Sequence, residues 1–441
     1  MSTVTGSAHI PVLETDVCIV GSGPAGCTYA KVILDRTDKR VFMAEMGTQQ
    51  SSVLGENLKN NIDAFSHVIM GHLHNLEPGN KDLPGASATY AVGGMSTHWT
   101  CAVPRPHPDE MPTDLPWSDD KAEWNRLYSY CERLIGADPE PFQHLIGQQI
   151  VKHALNEGIQ GRDIIGLPLA VQTIRIIPTF IGRAVTRLWS DTHVRKIEHR
   201  NGVATLAICE DLVTGQIFHV RARQFVVACG AILSPQLLHV SKIGNDNNGR
   251  YLTDHPVAFT QVVLADKHLA WARKNPSFAD RLKGMSDPIP IPFDEPVVWK
   301  AGPSAGKSRY FSGRRAGYVG NAKTKLPLSA IGGRQIALRE YLYRHGQEAL
   351  GPYLPGSEPH WRPYGQALHA CGTTRIGPDP QTSVLDPYSR VHDFSNLFVG
   401  GNNVIPTSNS VNPTLTTMVF AVKGAEMMIS QAGWDTATAR L

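Results

Sequence analysis

The sequence predicts an α/β protein: a Rossmann-like dinucleotide-binding domain with a second, α+β domain woven between its pieces. Three observations predict it. A glycine loop joins an apolar strand to a helix near the N-terminus. A second apolar strand, Phe225–Cys229, runs into another helix far downstream. A third, Asn396–Gly400, precedes a loop and a C-terminal helix from Pro413 to about Ser430. Strand–turn–helix units of this kind build one parallel sheet, here from distant segments.

Taken in order, Thr15–Val20 reads as a buried strand, Pro24 to about Leu34 as a helix and Arg40–Glu45 as a second strand, which together make a βαβ unit. Helix-like pieces fall around Ser51–Met70. Ser118–Ile135 is an amphipathic helix with Trp124, Leu127, Cys131 and Leu134 on one stripe. Val194–Val227 alternates like antiparallel strands, with a turn at Thr214-Gly215, and the helix after Cys229 spans Ser234–Ser241. This places the dinucleotide-binding domain at 1–110, 194–256 and 369–441. The second domain takes 111–193 and 257–368. Pro288–Pro296 is proline-dense, and Lys300–Lys325 carries seven basic residues and no acidic one, the pattern of a solvated loop.

Composition narrows the function classes. The chain has 441 residues, 41% hydrophobic and 18% charged, which excludes disorder for its bulk. A net charge of +3 with no basic stripe argues against nucleic acid as partner. The seven cysteines show no CxxC pair, so neither a disulfide framework nor a metal site is expected. No apolar run approaches the ~20 residues of a membrane span, and Met1–Asp16 lacks a signal-like apolar stretch. A cytoplasmic location is the expectation.

Gly21-Ser22-Gly23-Pro24-Ala25-Gly26 matches GxGxxG between a strand and a helix. Gly21 serves the tight turn, Gly23 lets the backbone approach a pyrophosphate, and Gly26 allows close helix–strand packing. The helix N-terminus offers N–H groups and partial positive charge to the anion. Glu45, 19 residues after Gly26, is placed to accept hydrogen bonds from a ribose. The loop alone does not choose between NAD and FAD.

Gly93-Gly94-Met95-Ser96-Thr97-His98-Trp99-Thr100-Cys101 pairs glycines that suit a flat ring with a histidine between small hydroxyl residues and a tryptophan. His369-Ala370-Cys371-Gly372-Thr373-Thr374-Arg375-Ile376-Gly377 and Gly400-Gly401-Asn402-Asn403-Val404-Ile405-Pro406-Thr407 are two further unusual runs, the second leading to Asn412-Pro413-Thr414. Asn before Pro is also a common helix start, with Asn as N-cap.

Together these segments resemble the glucose–methanol–choline (GMC) family of flavin oxidoreductases, and within it the branch of pyranose oxidases and glycoside 3-oxidases. Cys229-Gly230-Ala231-Ile232-Leu233-Ser234-Pro235 and Gly249-Arg250-Tyr251-Leu252-Thr253-Asp254-His255-Pro256 share in the resemblance. It implies FAD, held by Gly21, Gly23, Gly26, Glu45, Gly94, Met95, Ser96, Thr97, His98, Thr100, Cys229, Gly230, Asn402, Asn403, Pro413 and Thr414. His98 takes the position of a histidine bonded covalently to the flavin 8α-methyl, and Thr100 that of a threonine near N5. Some relatives hold FAD without the bond. His369 takes the catalytic-histidine position and Asn412 that of its partner, while His255 is read as structural.

Oxidation of a secondary alcohol requires this kind of pair. The proton needs a base that is neutral near working pH, which imidazole provides. An amide then holds the hydroxyl without titrating. The resemblance implies a pyranose sugar oxidised at C2, or a glycoside at C3, with oxygen or a quinone as acceptor. The interval 257–368 is short for the family, so a flavin-binding protein with little turnover is the second reading. A nicotinamide dehydrogenase is the third.

Overall fold

The structure is a computed structural model. It describes residues 10–50, 73–75, 84–106, 108–140, 146–158, 164–170, 186–254, 257–259, 264–278, 298–301, 309–312, 316–317, 347–353, 355–356, 360–361, 365, 368–407 and 411–434. The expectations for Ser51–Met70, His255, Pro256 and Pro288–Pro296 lie outside the described residues, as does most of Lys300–Lys325.

Along the chain, Val12–Glu14 (β1) and Val17–Val20 (β2) precede helix Pro24–Arg36 (α1) and strand Val41–Ala44 (β3). Helix Lys121–Ile135 (α2) follows, then strands Thr186–Trp189 (β4), Thr192–Arg200 (β5), Val203–Asp211 (β6), Ile217–Arg221 (β7) and Gln224–Val227 (β8). Helix Gly230–Val240 (α3), strand Leu397–Val399 (β9) and helix Thr414–Gln431 (α4) complete the frame.

The predicted parallel sheet is present, in the order β9-β8-β2-β3-β4. Its registers run Phe225↔Leu397, Gln224↔Val17, Val17↔Val41 and Val41↔Thr186, all parallel. Strands β2, β3, β8 and β9 are buried throughout, as apolar runs covered on both faces must be. The fifth strand corrects the expected division of the chain. Residues 186–189, assigned above to the second domain, extend this sheet beside β3. They lie beyond an irregular stretch, and only the strand pairing reveals them.

The alternating region forms a second sheet, β1-β7-β6-β5, antiparallel except for β1 on β7. The intervals 164–166 and 257–361 meet in a six-stranded antiparallel sheet whose neighbours include Trp299↔Gly166 and Phe259↔His360. This sheet joins the two intervals expected to form the second domain.

Helix α2 also departs from the expected division. Its stripe of Trp124, Leu127, Tyr128, Cys131 and Ile135 belongs to the main core, with Leu134 only half-buried. Trp117 and Trp124 pack on Phe420 of α4, with ring centroids 5.8 and 6.1 Å away. Asp120 caps α2 by accepting from Glu123 N at 2.9 Å. Tyr29 of α1 fits between Gly400 and Gly424, where a Cβ would stand 3.0 Å from its ring and 2.0 Å from its hydroxyl respectively. Among the described residues, no helix is long and apolar enough to cross a membrane. None of the seven cysteines forms a disulfide.

A chain of charges ties three helices together. Arg126 bonds Glu123 at 2.7 Å and Glu426 at 2.8 Å. Arg36 reaches Glu426 at 2.8 Å, and Lys423 reaches Glu123 at 2.5 Å. The Arg126 guanidinium first, with Lys423, holds the Glu123 carboxyl down to about 2. Because the folded group is depressed, its stabilisation is present above the ordinary glutamate range and is lost as pH falls toward about 2. Glu123→Gln is therefore less stable than the parent at pH 7, and the difference in urea midpoint narrows as pH falls from 4.5 to about 2.

Candidate active site

The site is built at the carboxyl ends of β2, β8, β9 and β3. Strand β2 sits between β8 and β3, so the chain leaves it in one direction first and in the other later. Ligands of open α/β sheets bind at such a switch point. Gly21, after β2, adopts φ +102°, and a Cβ there would lie 2.4 Å from the Ala228 carbonyl at the end of β8. Only glycine permits both that conformation and that approach. Gly26 packs as predicted: a Cβ would lie 2.1 Å from the Gly21 oxygen and 3.3 Å from Ile19. At Gly23 a Cβ would meet only the Cα of Gly94, at 4.0 Å, and at Gly230 nothing within 4 Å, so both backbones border open space.

Helix starts in this region lack side-chain caps. The residues preceding α1, α3 and α4 are Gly23, Cys229 and Pro413, and none caps with its side chain, in contrast to Asp120 of α2. The first turn of each contains no acidic residue. Backbone N–H groups at a glycine-lined opening suit a pyrophosphate. The cradle therefore fits a dinucleotide cofactor.

Glu45 is found at the end of β3, but with a structural task the sequence did not reveal. Its Oε2 accepts from Ser22 N at 2.9 Å and Ser22 Oγ at 2.7 Å, and its Oε1 accepts from Gly47 N at 3.0 Å. Burial pushes this carboxyl up, against the pull of those bonds. A carboxylate has about four acceptor positions, so this clamp is compatible with a ribose hydroxyl as well. Ser22 Oγ also accepts from Gly93 N at 2.9 Å, which ties the first glycine loop to the second. Ser22 is the variable residue inside GxGxxG, where the motif gives no signal.

The second loop forms a 3₁₀ turn, Gly94–Thr97, entered through Gly93 at φ +102°. It stands on the segment after β3, where Thr48 bridges Ala91 and Val92 N donates to Thr48 O at 3.0 Å. Ser96 and Thr97 hydroxyls donate to the carbonyls of Gly93 and Gly94 at 2.7 and 2.8 Å. His98 is buried, with Nδ1 2.6 Å from Thr97 Oγ1. Met95 Sδ accepts from Thr89 at 2.7 Å. Thr100 is exposed.

Helix α3 starts at Gly230, not at the expected Ser234. Pro235 thus falls inside the helix. There it removes the N–H that would bond Ala231 O. The Thr373 hydroxyl supplies that bond at 2.6 Å, which brings the 369–377 run to the cradle. Gly372, at φ +79°, lies where a Cβ would be 2.5 Å from Tyr251 O.

The runs containing His369 and Asn412 converge. Asn412 Nδ2 is 3.2 Å from His369 Nε2, and both residues are half-buried. Of the two readings of Asn412, the capping one is not realised: Pro413 occupies the cap position, and Asn412 turns its amide to the imidazole. Asn402 Oδ1 accepts from Thr417 of α4 at 2.5 Å. Asn403 is fully buried, and its amide donates to Thr374 Oγ1 at 2.7 Å, so its side chain tethers the 371–374 turn.

A switch-point cradle for a dinucleotide, joined to an imidazole–carboxamide pair, defines an oxidoreductase. Models of the GMC oxidoreductase family match residues 175–257 and 351–421. The chain is 32% identical to pyranose 2-oxidase of Tricholoma matsutake, over 98% of this chain and 96% of that protein. It is 28% identical to C-glycoside 3-oxidase of Microbacterium trichothecenolyticum, over 98% of this chain and the whole of that one. A formate oxidase variant from Aspergillus oryzae, 13% identical, superposes with a TM-score of 0.67 over 97% of this chain and 100% of that chain, which shows a shared fold. The chain belongs to the GMC oxidoreductase family, and that membership points to FAD. The alignment to the T. matsutake protein extends over 549 positions against 441 residues here, so that relative carries insertions.

Ser22→Ala removes the hydroxyl shared by Glu45 and Gly93 and leaves a buried N–H without its acceptor. It lowers stability by about 1–3 kcal/mol. It also lowers the flavin-to-protein absorbance ratio of the purified protein.

Proposed function

We propose that this protein oxidises a secondary hydroxyl of a pyranose sugar, at C2, and passes the electrons to oxygen, giving hydrogen peroxide, or to a quinone. The observation that carries the reading is the 3.2 Å contact between Asn412 and His369. Identity of 32% to a pyranose 2-oxidase supports the substrate class. Oxidation of a glycoside at C3 is the second reading, favoured by the match over the full length of a C-glycoside 3-oxidase.

The cofactor residues of this reading are Gly21, Gly23 and Gly26 at the pyrophosphate, Glu45 at the ribose, and Gly94–His98 with Thr100 beside the ring system. Cys229, Gly230, Asn402, Asn403, Pro413 and Thr414 complete that set. FAD, when bound, supplies the hydride acceptor. His369 takes the hydroxyl proton at Nε2. An amide N–H donated to Nε2 requires a lone pair there, so Asn412 favours the neutral tautomer with its proton on Nδ1, and the substrate hydroxyl replaces the amide N–H at that single lone pair before its proton moves. Rotated by half a turn, the same amide accepts from the protonated ring. Asn412 thus fixes the tautomer of the base before the sugar enters, and once displaced from Nε2 its amide stands beside the hydroxyl and orients it.

His369→Ala, mixed anaerobically with D-glucose or phenyl glucoside, reduces its flavin about 10²–10⁴-fold more slowly than the parent. Bleaching at the parental rate would remove His369 as base, and a parent that neither sugar bleaches would favour a binding role. Product NMR with the two sugars separates C2 from C3 oxidation. Attachment of FAD through His98, whose ring is oriented by Thr97, predicts that acid-precipitated protein stays yellow.

A further inference from the structure

The main chain of His369 is held from both sides. Its N–H donates to Asp254 Oδ1 at 3.1 Å, and its carbonyl accepts from the Cys371 thiol at 3.1 Å. Asp254 is buried, and a buried carboxylate is retained only where it is hydrogen-bonded. The residue before the histidine, Leu368, has φ +59°, a conformation that a branched side chain adopts only when its surroundings enforce it.

The segment carrying Asp254 is itself fixed against the same run. Thr253 N donates to Cys371 O at 3.1 Å, Cys371 N to Thr253 O at 2.8 Å and Gly249 N to Thr373 O at 2.8 Å. Those backbone bonds set the register, and the Asp254 side chain reaches one residue pair further to His369. The imidazole then meets Asn412 from the other side.

We infer that Asp254 is a positioning residue: its carboxylate seats the His369 backbone so that the imidazole is presented to Asn412. The inference rests on the reading of His369 as the base, and it adds the residue that fixes where the base stands. Proton transfer itself involves no atom of Asp254. Small displacement of a positioned base is costly, about 10²-fold per ångström.

The test uses the FAD-loaded full chain. Hydrogen exchange of the His369 amide, resolved by fragmentation mass spectrometry, is slow in the parent. It is at least about 10-fold faster in Asp254→Ala, and close to parental in Asp254→Asn, whose amide oxygen still accepts. Anaerobic flavin reduction by D-glucose or phenyl glucoside falls about 10–100-fold in Asp254→Ala and is largely restored in Asp254→Asn. A role confined to stability would lower melting temperature while leaving the reduction rate per bound flavin unchanged. Fast exchange of the His369 amide in the parent overturns the proposal without any variant. Parental exchange and reduction in a folded Asp254→Ala overturn it as well. If His369→Ala leaves flavin reduction unchanged, the base assignment fails, and the exchange measurement still decides whether Asp254 seats the segment.

Discussion

The contact between the turns after β2 and β8 is the constraint on which the site depends. Gly21 presses its Cα toward the Ala228 carbonyl with no room for a side chain. That approach brings the starts of α1 and α3 to one opening. It also places Gly230 beside the backbone of Gly401, whose Cβ would stand 3.5 Å from the Gly230 Cα. Uncapped helix starts and glycine backbones line the opening. Such a place has little intrinsic stability of its own: left-handed glycines, unfilled N–H groups and a buried carboxylate all carry a free-energy cost. The apolar parallel sheet beneath offsets that cost, and it tolerates no polar residue on either face of β2.

The local features were legible where chemistry and period coincide in a few consecutive residues. The βαβ unit at Val17–Ala44 followed from an apolar run, a glycine loop and a second apolar run, and its helix ended at Arg36 within two residues of the expected end. Strands Gln224–Val227 and Leu397–Val399 were legible for the same reason. Thr186–Trp189 was not, because a four-residue edge strand leaves no periodic signal beside an irregular stretch. Helix α3 starts four residues earlier than expected, and the proline inside it is accommodated by Thr373, more than 130 residues away in sequence, which no local reading shows.

The site shows the same division. His369 and Asn412 were singled out from residue type and family resemblance, and they meet in space. Their supports were not legible. Ser22 and Asp254 act through bonds from backbone N–H groups of other segments, and Gly47 through its own N–H to Glu45; bonds to the backbone leave no trace in side-chain spacing. Glu45 illustrates the mixed case. Its position at the strand end was expected, whereas its bonds to Ser22 and Gly47 depend on how the following turn bends back.

The order of strands across the central sheet has a consequence for biosynthesis. Strand β2 pairs with β8, and β8 with β9, so an N-terminal strand waits for neighbours that leave the ribosome more than 200 and 370 residues later. The nascent chain can close β2 on β3 early, but residues 402–407 and 411–417 arrive last. Such non-local pairing folds slowly, with strand edges exposed meanwhile. The run that carries Asn412 and the helix it precedes are thus among the last parts of the frame to be made, and the imidazole of His369 meets its partner only then.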